Sequence, residues 1–202
     1  MPLRLGIFLT PASNPTRPMS EIIDWNLDVI RKAEAYGYDE VWVGSHLTSH
    51  YSPIACPLQV IARATGETGR IRLGAGVSVL YQNHPLTIAA QLAQLDHMTR
   101  GRINFGFGGG ATVSDKIMFG VDGPTSHEMM MEAIEIILHC WSETGPRQFN
   151  GNCGRPDTRA IRTCRRLRHP ADAGQRLLRP RPTGKVASLD GTPGHRGHAA
   201  LG

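Results

Sequence analysis

The stretch "INFGFGGGA", residues 103–111, decides how this chain is read. A short apolar strand runs into a cluster of glycines. Gly106, Gly108 and Ala111 fit the spacing G-x-G-x-x-A, which in a dinucleotide-binding fold wraps a pyrophosphate at a helix N-terminus. That reading needs a helix to open at once on the third glycine, and an acidic residue closing a later strand about 20 residues on. The residues that follow, TVSDKIMFGVDGPT, carry no helical stripe, and the next capping signal is at Thr125. The alternative is that glycines thin out the strand ends so that a flat ligand can approach the backbone.

Working outward, apolar β-prone runs occur at 3–9, 39–43, 71–80 and 103–107. Their centres lie about 30–35 residues apart, the length of a βα unit. Helical patterns fill the gaps. One spans about 20–36, with Ile22, Trp25, Val29, Ala33 and Tyr36 on one face, Ser20 as N-cap and Gly37 as its stop. A second spans about 57–66 with Pro57 in its first turn. A third begins at Pro85 and aligns Ile88, Leu92, Leu95 and Met98, and a fourth starts at the capping-box pair Thr125 and Glu128 with the stripe Met130, Ile134, Ile137 and Trp141. The strands lack clean alternation, as expected of parallel strands covered on both faces. Four βα units fit half of an eight-fold barrel or most of a doubly wound sheet.

Composition divides the chain. Residues 151–202 hold eleven basic and three acidic residues, a net +8, while the remainder is −3. The tail has no Phe, Tyr or Trp and no lasting apolar stripe, so it cannot bury enough surface to offset its ordering entropy. The reading is a domain at 1–150 followed by a basic Arg/Pro/Gly-rich tail at 151–202, disordered or the product of a shifted reading frame in GC-rich DNA. The tail's RTCRRLRH run lacks the aromatics that stack on bases, which argues against a nucleic-acid site. No run of about 18 apolar residues is present, so no membrane span is expected. The four cysteines have no C-x-x-C spacing and are expected to be reduced thiols of a cytoplasmic protein.

Glycines also recur in the third strand, at Gly74 and Gly76. Two neighbouring strands thus lose side chains toward their C-terminal ends, where ligands bind in parallel αβ folds. With "YDEVWVGSHLTSHY" (38–51), "IRLGAGVSVLYQNHPLTIAAQLAQLDHMTRGRINFGFGGGA" (71–111) and "SDKIMFGVD" (114–122), the sequence resembles the bacterial-luciferase-like flavin monooxygenases, and within them the limonene- and alkanal-monooxygenase-like proteins. The resemblance covers about residues 3–150. It implies the N-terminal half of a (β/α)8 TIM-type barrel, reduced FMN as cofactor with coenzyme F420 as the alternative, and O2 and a small organic molecule as substrates. It also implies a separate NAD(P)H:flavin reductase as partner, and later βα units as the main holders of the flavin phosphate.

The resemblance makes His46, after the second strand, the catalytic candidate near the reactive edge of the flavin. Histidine can steady an oxygen species and move a proton near neutral pH. The family often has a glutamate just before this histidine, whereas Ser45 stands here. A histidine that only hydrogen-bonds its own loop is the plainer alternative. The cofactor-binding candidates are Gly76, Val77, Asn83, Gly108 and Gly109, with helix capping as the simpler role for the Asn83 segment. His46 and His50 are four apart but lack the intervening glutamate of H-E-x-x-H and run into Pro53, so no metal site is expected. Asp96, Arg100 and Arg102 read as a structural ion-pair cluster.

Overall fold

In a computed structural model the described residues are 3–10, 12–142, 149, 151 and 153. The strands β1 (Gly6–Leu9), β2 (Glu40–Val43), β3 (Arg72–Val79) and β4 (Ile103–Gly108) form one sheet, in the order β1-β2-β3-β4. Every pairing is parallel. The helices are α1 (Met19–Ala35), α2 (Pro57–Thr65), α3 (Pro85–Met98), α4 (Val113–Phe119) and α5 (Gly123–Ser142), with a 3-10 turn at Leu80–Gln82. The order is that of half a TIM-type barrel. Apart from Gly151 and Cys153, the basic tail, including RTCRRLRH, lies outside the described residues.

Strand side chains alternate between two faces. One face puts Leu9, Val41, Val43, Leu73, Ala75 and Ile103 under the helices, all essentially buried. They pack with Leu27 and Ile30 of α1, Leu58 and Ile61 of α2, Ile88 and Leu92 of α3, and Ile136 and Ile137 of α5. The other face holds Phe8, Trp42, Gly74 and Asn104 in one register row. No helix covers this face among the described residues, and Phe8 is 57% exposed. At the foot of the face Asn104 donates to the Glu40 carboxylate at 2.9 Å, and Arg72 donates to Asn104 Oδ1 at 2.6 Å.

Several local expectations are corrected. The α1 stripe is displaced: Ile22, Asn26, Leu27, Ile30 and Ala33 are buried, while Trp25 and Tyr36 are exposed. The helix starts at Met19 after Pro18, so Ser20 is not its cap. Gly37 does stop it, with φ +86°. A helix forms at 113–119, where the sequence shows no helical stripe, because only Asp115 on it is buried. Asp122, not Thr125, caps α5: its Oδ1 accepts from Thr125 N–H at 2.7 Å. Cys56 and Cys153 are free thiols.

The N-terminal end of the sheet is tied by side chains that serve backbone groups. Arg102 donates to the carbonyls of Thr99, Ile71 and Thr68, so it works as a collector of carbonyls instead of an ion-pair member. Glu34 on α1 accepts N–H bonds from Gly69, Arg70 and Ile71 just before β3. Burial alone would raise the Glu34 pKa, but these three donors, with Arg102 nearby, hold it below its ordinary 4.5. A carboxylate depressed in the fold stabilises it above the unfolded pKa, and that contribution disappears as pH falls through the folded value.

Glu34→Gln should therefore lower stability by about 0.5–1 kcal/mol at neutral pH, the modest figure reflecting solvent screening. Urea titrations across the acid range check the sign: the gap between wild type and variant should shrink below about pH 4.5. A second test uses glycine. A Cβ on Gly74 would stand 2.5 Å from the Trp42 ring, whereas one on Gly69 meets nothing within 4 Å. Gly74→Ala should cost about 1–3 kcal/mol as the ring is displaced, and Gly69→Ala should leave the urea midpoint nearly unchanged.

Candidate active site

The C-terminal ends of the four strands share one end of the sheet, and the residues that follow them gather there. Gly44 and His46 follow β2, Gly76 and Val77 lie in the upper part of β3, Asn83 follows the 3-10 turn, and Gly108 and Gly109 end β4. The peptide bond between Gly76 and Val77 is cis, and the β3–β4 register shifts between Ala75 and Ser78. Parallel pairing places His46, Gly76 and Gly108 at the same end.

The absence of side chains at these glycines is used in two ways. Over Gly76 lies the Phe8 ring, 2.6 Å from where a Cβ would be, and over Gly108 lies a methyl of Val77, 2.5 Å away. The space above Gly74 is taken by Trp42. Rings and methyls of this chain thus floor the strand ends. Gly109 differs: a Cβ there would meet only Ser126, at 3.7 Å and beyond. An apolar floor of two aromatic rings and Val77, with a bare backbone beside it, suits a flat heterocycle such as a flavin ring.

His46 is half-buried. Its backbone N–H donates to the Ile54 carbonyl at 3.0 Å, and its Nδ1 lies 2.9 Å from the Oγ of buried Ser52. The loop therefore fixes the ring through Nδ1 and leaves Nε2 as the nitrogen available to a ligand. The adjoining residues are held from another unit of the fold. Asp115 of α4, buried, accepts from Thr48 N–H at 3.0 Å, from Thr48 Oγ1 at 2.5 Å and from Leu47 N–H at 3.4 Å. Thr48 Oγ1 also lies 2.6 Å from Ser114 Oγ. Sequence reasoning passes over Asp115. The signal that could have found it is a lone aspartate among Val113, Ile117 and Met118, which are all exposed.

Asn83 is exposed and does not cap α3. His84 does, its Nδ1 accepting from Leu86 N–H at 3.2 Å. Tyr81, before it, is buried with its ring edge-on to Phe119 at 5.6 Å between centroids. Its hydroxyl is 3.1 Å from where a Cβ on Gly110 would be, and Gly110 has φ +71°. Burial pushes the Tyr81 phenol up, the Gln82 side chain pulls the other way, and the Asp115 carboxylate adds to the rise.

The family model described as luciferase-like monooxygenase matches residues 3–182, past residue 150 where the sequence alone puts the end of the half barrel. The chain is 35% identical over 136 residues to the 4-hydroxyprotoasukamycin monooxygenase of Streptomyces nodosus subsp. asukaensis, covering 67% of this chain and 36% of that protein. It is 35% identical over 132 residues to the limonene 1,2-monooxygenase of Rhodococcus erythropolis, covering 65% of this chain and 34% of the relative. The chain thus spans about a third of the length of the curated relatives it matches. Among solved structures it resembles the oxygenating constituent of the 3,6-diketocamphane monooxygenase of Pseudomonas putida in complex with FMN, with a TM-score of 0.71, 24% identity, and coverage of 76% of this chain and 42% of that one. With a family match over most of its length and four parallel βα units in the order of the barrel, the chain belongs to the luciferase-like monooxygenase family.

Proposed function

We propose that this chain supplies the His46-bearing half of a reduced-FMN-dependent monooxygenase acting on a small organic substrate. The observation that carries the reading is the meeting of His46 with the glycine-thinned ends of β3 and β4 at one end of the sheet. Reduced FMN supplies two electrons, so that one atom of O2 enters the substrate and the other leaves as water. A separate NAD(P)H:flavin reductase would regenerate the reduced flavin, and the cytoplasm is the compartment this chemistry suits. No helix among the described residues is long and apolar enough to cross a membrane.

Each residue contributes a separate part. The backbone of Gly109 offers close approach to a flat ring, and Gly108 makes room for Val77, which with Phe8 forms its apolar floor. Gly76 has no side chain to lift that floor, and Asn83 offers an amide at the same end. His46, fixed through Nδ1 by Ser52, holds or moves a proton at Nε2. Asp115 holds the histidine loop in place by accepting from Leu47 and Thr48.

The test begins with anaerobic titration of reduced FMN into the chain, with coenzyme F420 in parallel. Saturable FMN binding is expected, weak because the phosphate contacts implied by the resemblance come from later βα units. Gly109→Val, placed where the fold has room, should weaken it about tenfold or more, a loss of about 1.4 kcal/mol. Absence of saturable FMN binding, or preference for F420, defeats the cofactor reading. With a flavin reductase and O2 present, His46→Ala should lower oxygenated product per NADH consumed and raise hydrogen peroxide, with flavin affinity little changed. Equal coupling in the variant would remove His46 from proton handling. Asp115→Asn should cost about 1–3 kcal/mol, as the loss of a buried charged acceptor, and limited proteolysis should then cut first within residues 46–52.

A further inference from the structure

The hydroxyl of Tyr81 is buried at this end of the sheet without a partner. The residue is 7% exposed, and among the described residues its Oη meets no hydrogen-bonding group. The Gln82 side chain acts on the phenol's pKa but stands outside hydrogen-bonding geometry. Phenylalanine would pack the same ring without burying a donor, and a buried donor left unpaired carries its full desolvation cost. The hydroxyl is already enclosed, so anything that pairs with it must first displace its cover. That cover is α4 and the turn before it. The Phe119 ring lies edge-on to Tyr81 at 5.6 Å, and a Cβ on Gly110 would stand 3.1 Å from Oη. The neighbouring Gly109 borders the space in which a Cβ would meet only Ser126.

We propose that α4 is a lid, and that its opening lets Tyr81 Oη donate to a carbonyl oxygen of the bound flavin ring. Gly110 at φ +71° and Gly120 at φ +65° stand on either side of the helix, and glycine crosses between positive and negative φ at little steric cost. Hinges of moving segments are commonly residues of this kind at the ends of elements. The latch is polar: Asp115 accepts from Leu47 and Thr48, and Ser114 Oγ lies 2.6 Å from Thr48 Oγ1. The unpaired phenol raises the free energy of the closed position and so keeps the open one within reach. A phenol keeps its proton at neutral pH, so it enters the contact as a donor. The lid rests on the geometry alone, while the identity of the acceptor rests on the flavin reading.

The lid is tested without flavin, by O-acetylation with N-acetylimidazole located by mass spectrometry. Tyr51, 68% exposed, serves as the internal standard. In the native wild type Tyr81 should be acetylated slowly. Thr48→Cys combined with Ser114→Cys and oxidised to a disulfide locks α4 to the loop after β2, and should slow Tyr81 about tenfold or more with Tyr51 unchanged. Asp115→Asn opens the latch and should speed Tyr81 severalfold, while exchange of the Leu73 amide in the sheet stays slow. Equal Tyr81 rates in the wild type and both variants overturn the lid, as does Tyr81 acetylation that begins only with global unfolding. Tyr81→Phe should weaken binding of reduced FMN about fivefold without lowering the urea midpoint. Unchanged FMN affinity removes Tyr81 from the ligand, and a lowered midpoint shows that the hydroxyl serves the closed fold; either overturns its assigned role. If the wild type does not bind reduced FMN, the flavin reading and the Tyr81 contact fall together, and the acetylation rates still decide the lid.

Discussion

A parallel strand sends alternate residues to opposite faces, and in this chain the two faces meet opposite demands. Val41, Val43, Leu73, Ala75 and Ile103 are buried beneath the helices and supply most of what holds the sheet, since fully burying such a side chain is worth about 1.5–3 kcal/mol. The other face has to leave room for a barrel interior. Glycine is therefore used where another strand sends a large ring, as Trp42 of the adjoining β2 does over Gly74 and Phe8, two strands away, does over Gly76. Size on one strand is balanced by absence on the next, and a methyl added at Gly74 or Gly108 meets an occupied position.

The two ends of the sheet are built from different materials. At the N-terminal end charged side chains satisfy backbone groups: Glu34 takes the N–H groups leading into β3, and Arg102 takes carbonyls from the segments before β3 and β4. Both residues direct their charge at the main chain, which fixes where β3 and β4 start. At the C-terminal end the strands give way to glycines and loops. This is the division of labour expected of a TIM-type barrel, where stability and chemistry sit at opposite ends.

The strands, their order and the glycine-thinned end are legible in the sequence because β-prone runs recur at βα spacing, and because Gly37 and Pro57 mark helix ends with backbone rules that need no tertiary context. The α1 stripe is not. Trp25 and Tyr36 are apolar by type yet face outward, while Asn26 is buried by donating its side-chain N–H to the Ile22 carbonyl. α4 is invisible to periodicity because its apolar residues are the exposed ones and its single buried residue is an aspartate. His84 caps α3 with a ring nitrogen, a role more often taken by the neighbouring asparagine type. What fills the space over the glycines cannot be read either, since Phe8 and Trp42 reach Gly76 and Gly74 from strands far apart in sequence.

The candidate histidine shows how such an end becomes ordered without a core of its own. His46 belongs to the second βα unit, but the residues after it hang from Asp115 in the fourth. Between them, in the third unit, Tyr81 packs on Phe119 of the same α4 helix. Three successive loops are thus held together by one short helix, which the glycines at Gly110 and Gly120, both at positive φ, connect to the chain before and after it. Buried hydrogen bonds to a carboxylate are directional, so the loop bearing His46 has one favoured position relative to the end of β4. Proton transfer falls away quickly with misplacement of the group that carries it out. The geometry around His46 is therefore set as much by Asp115, 69 residues later in the chain, as by Ser52 beside it.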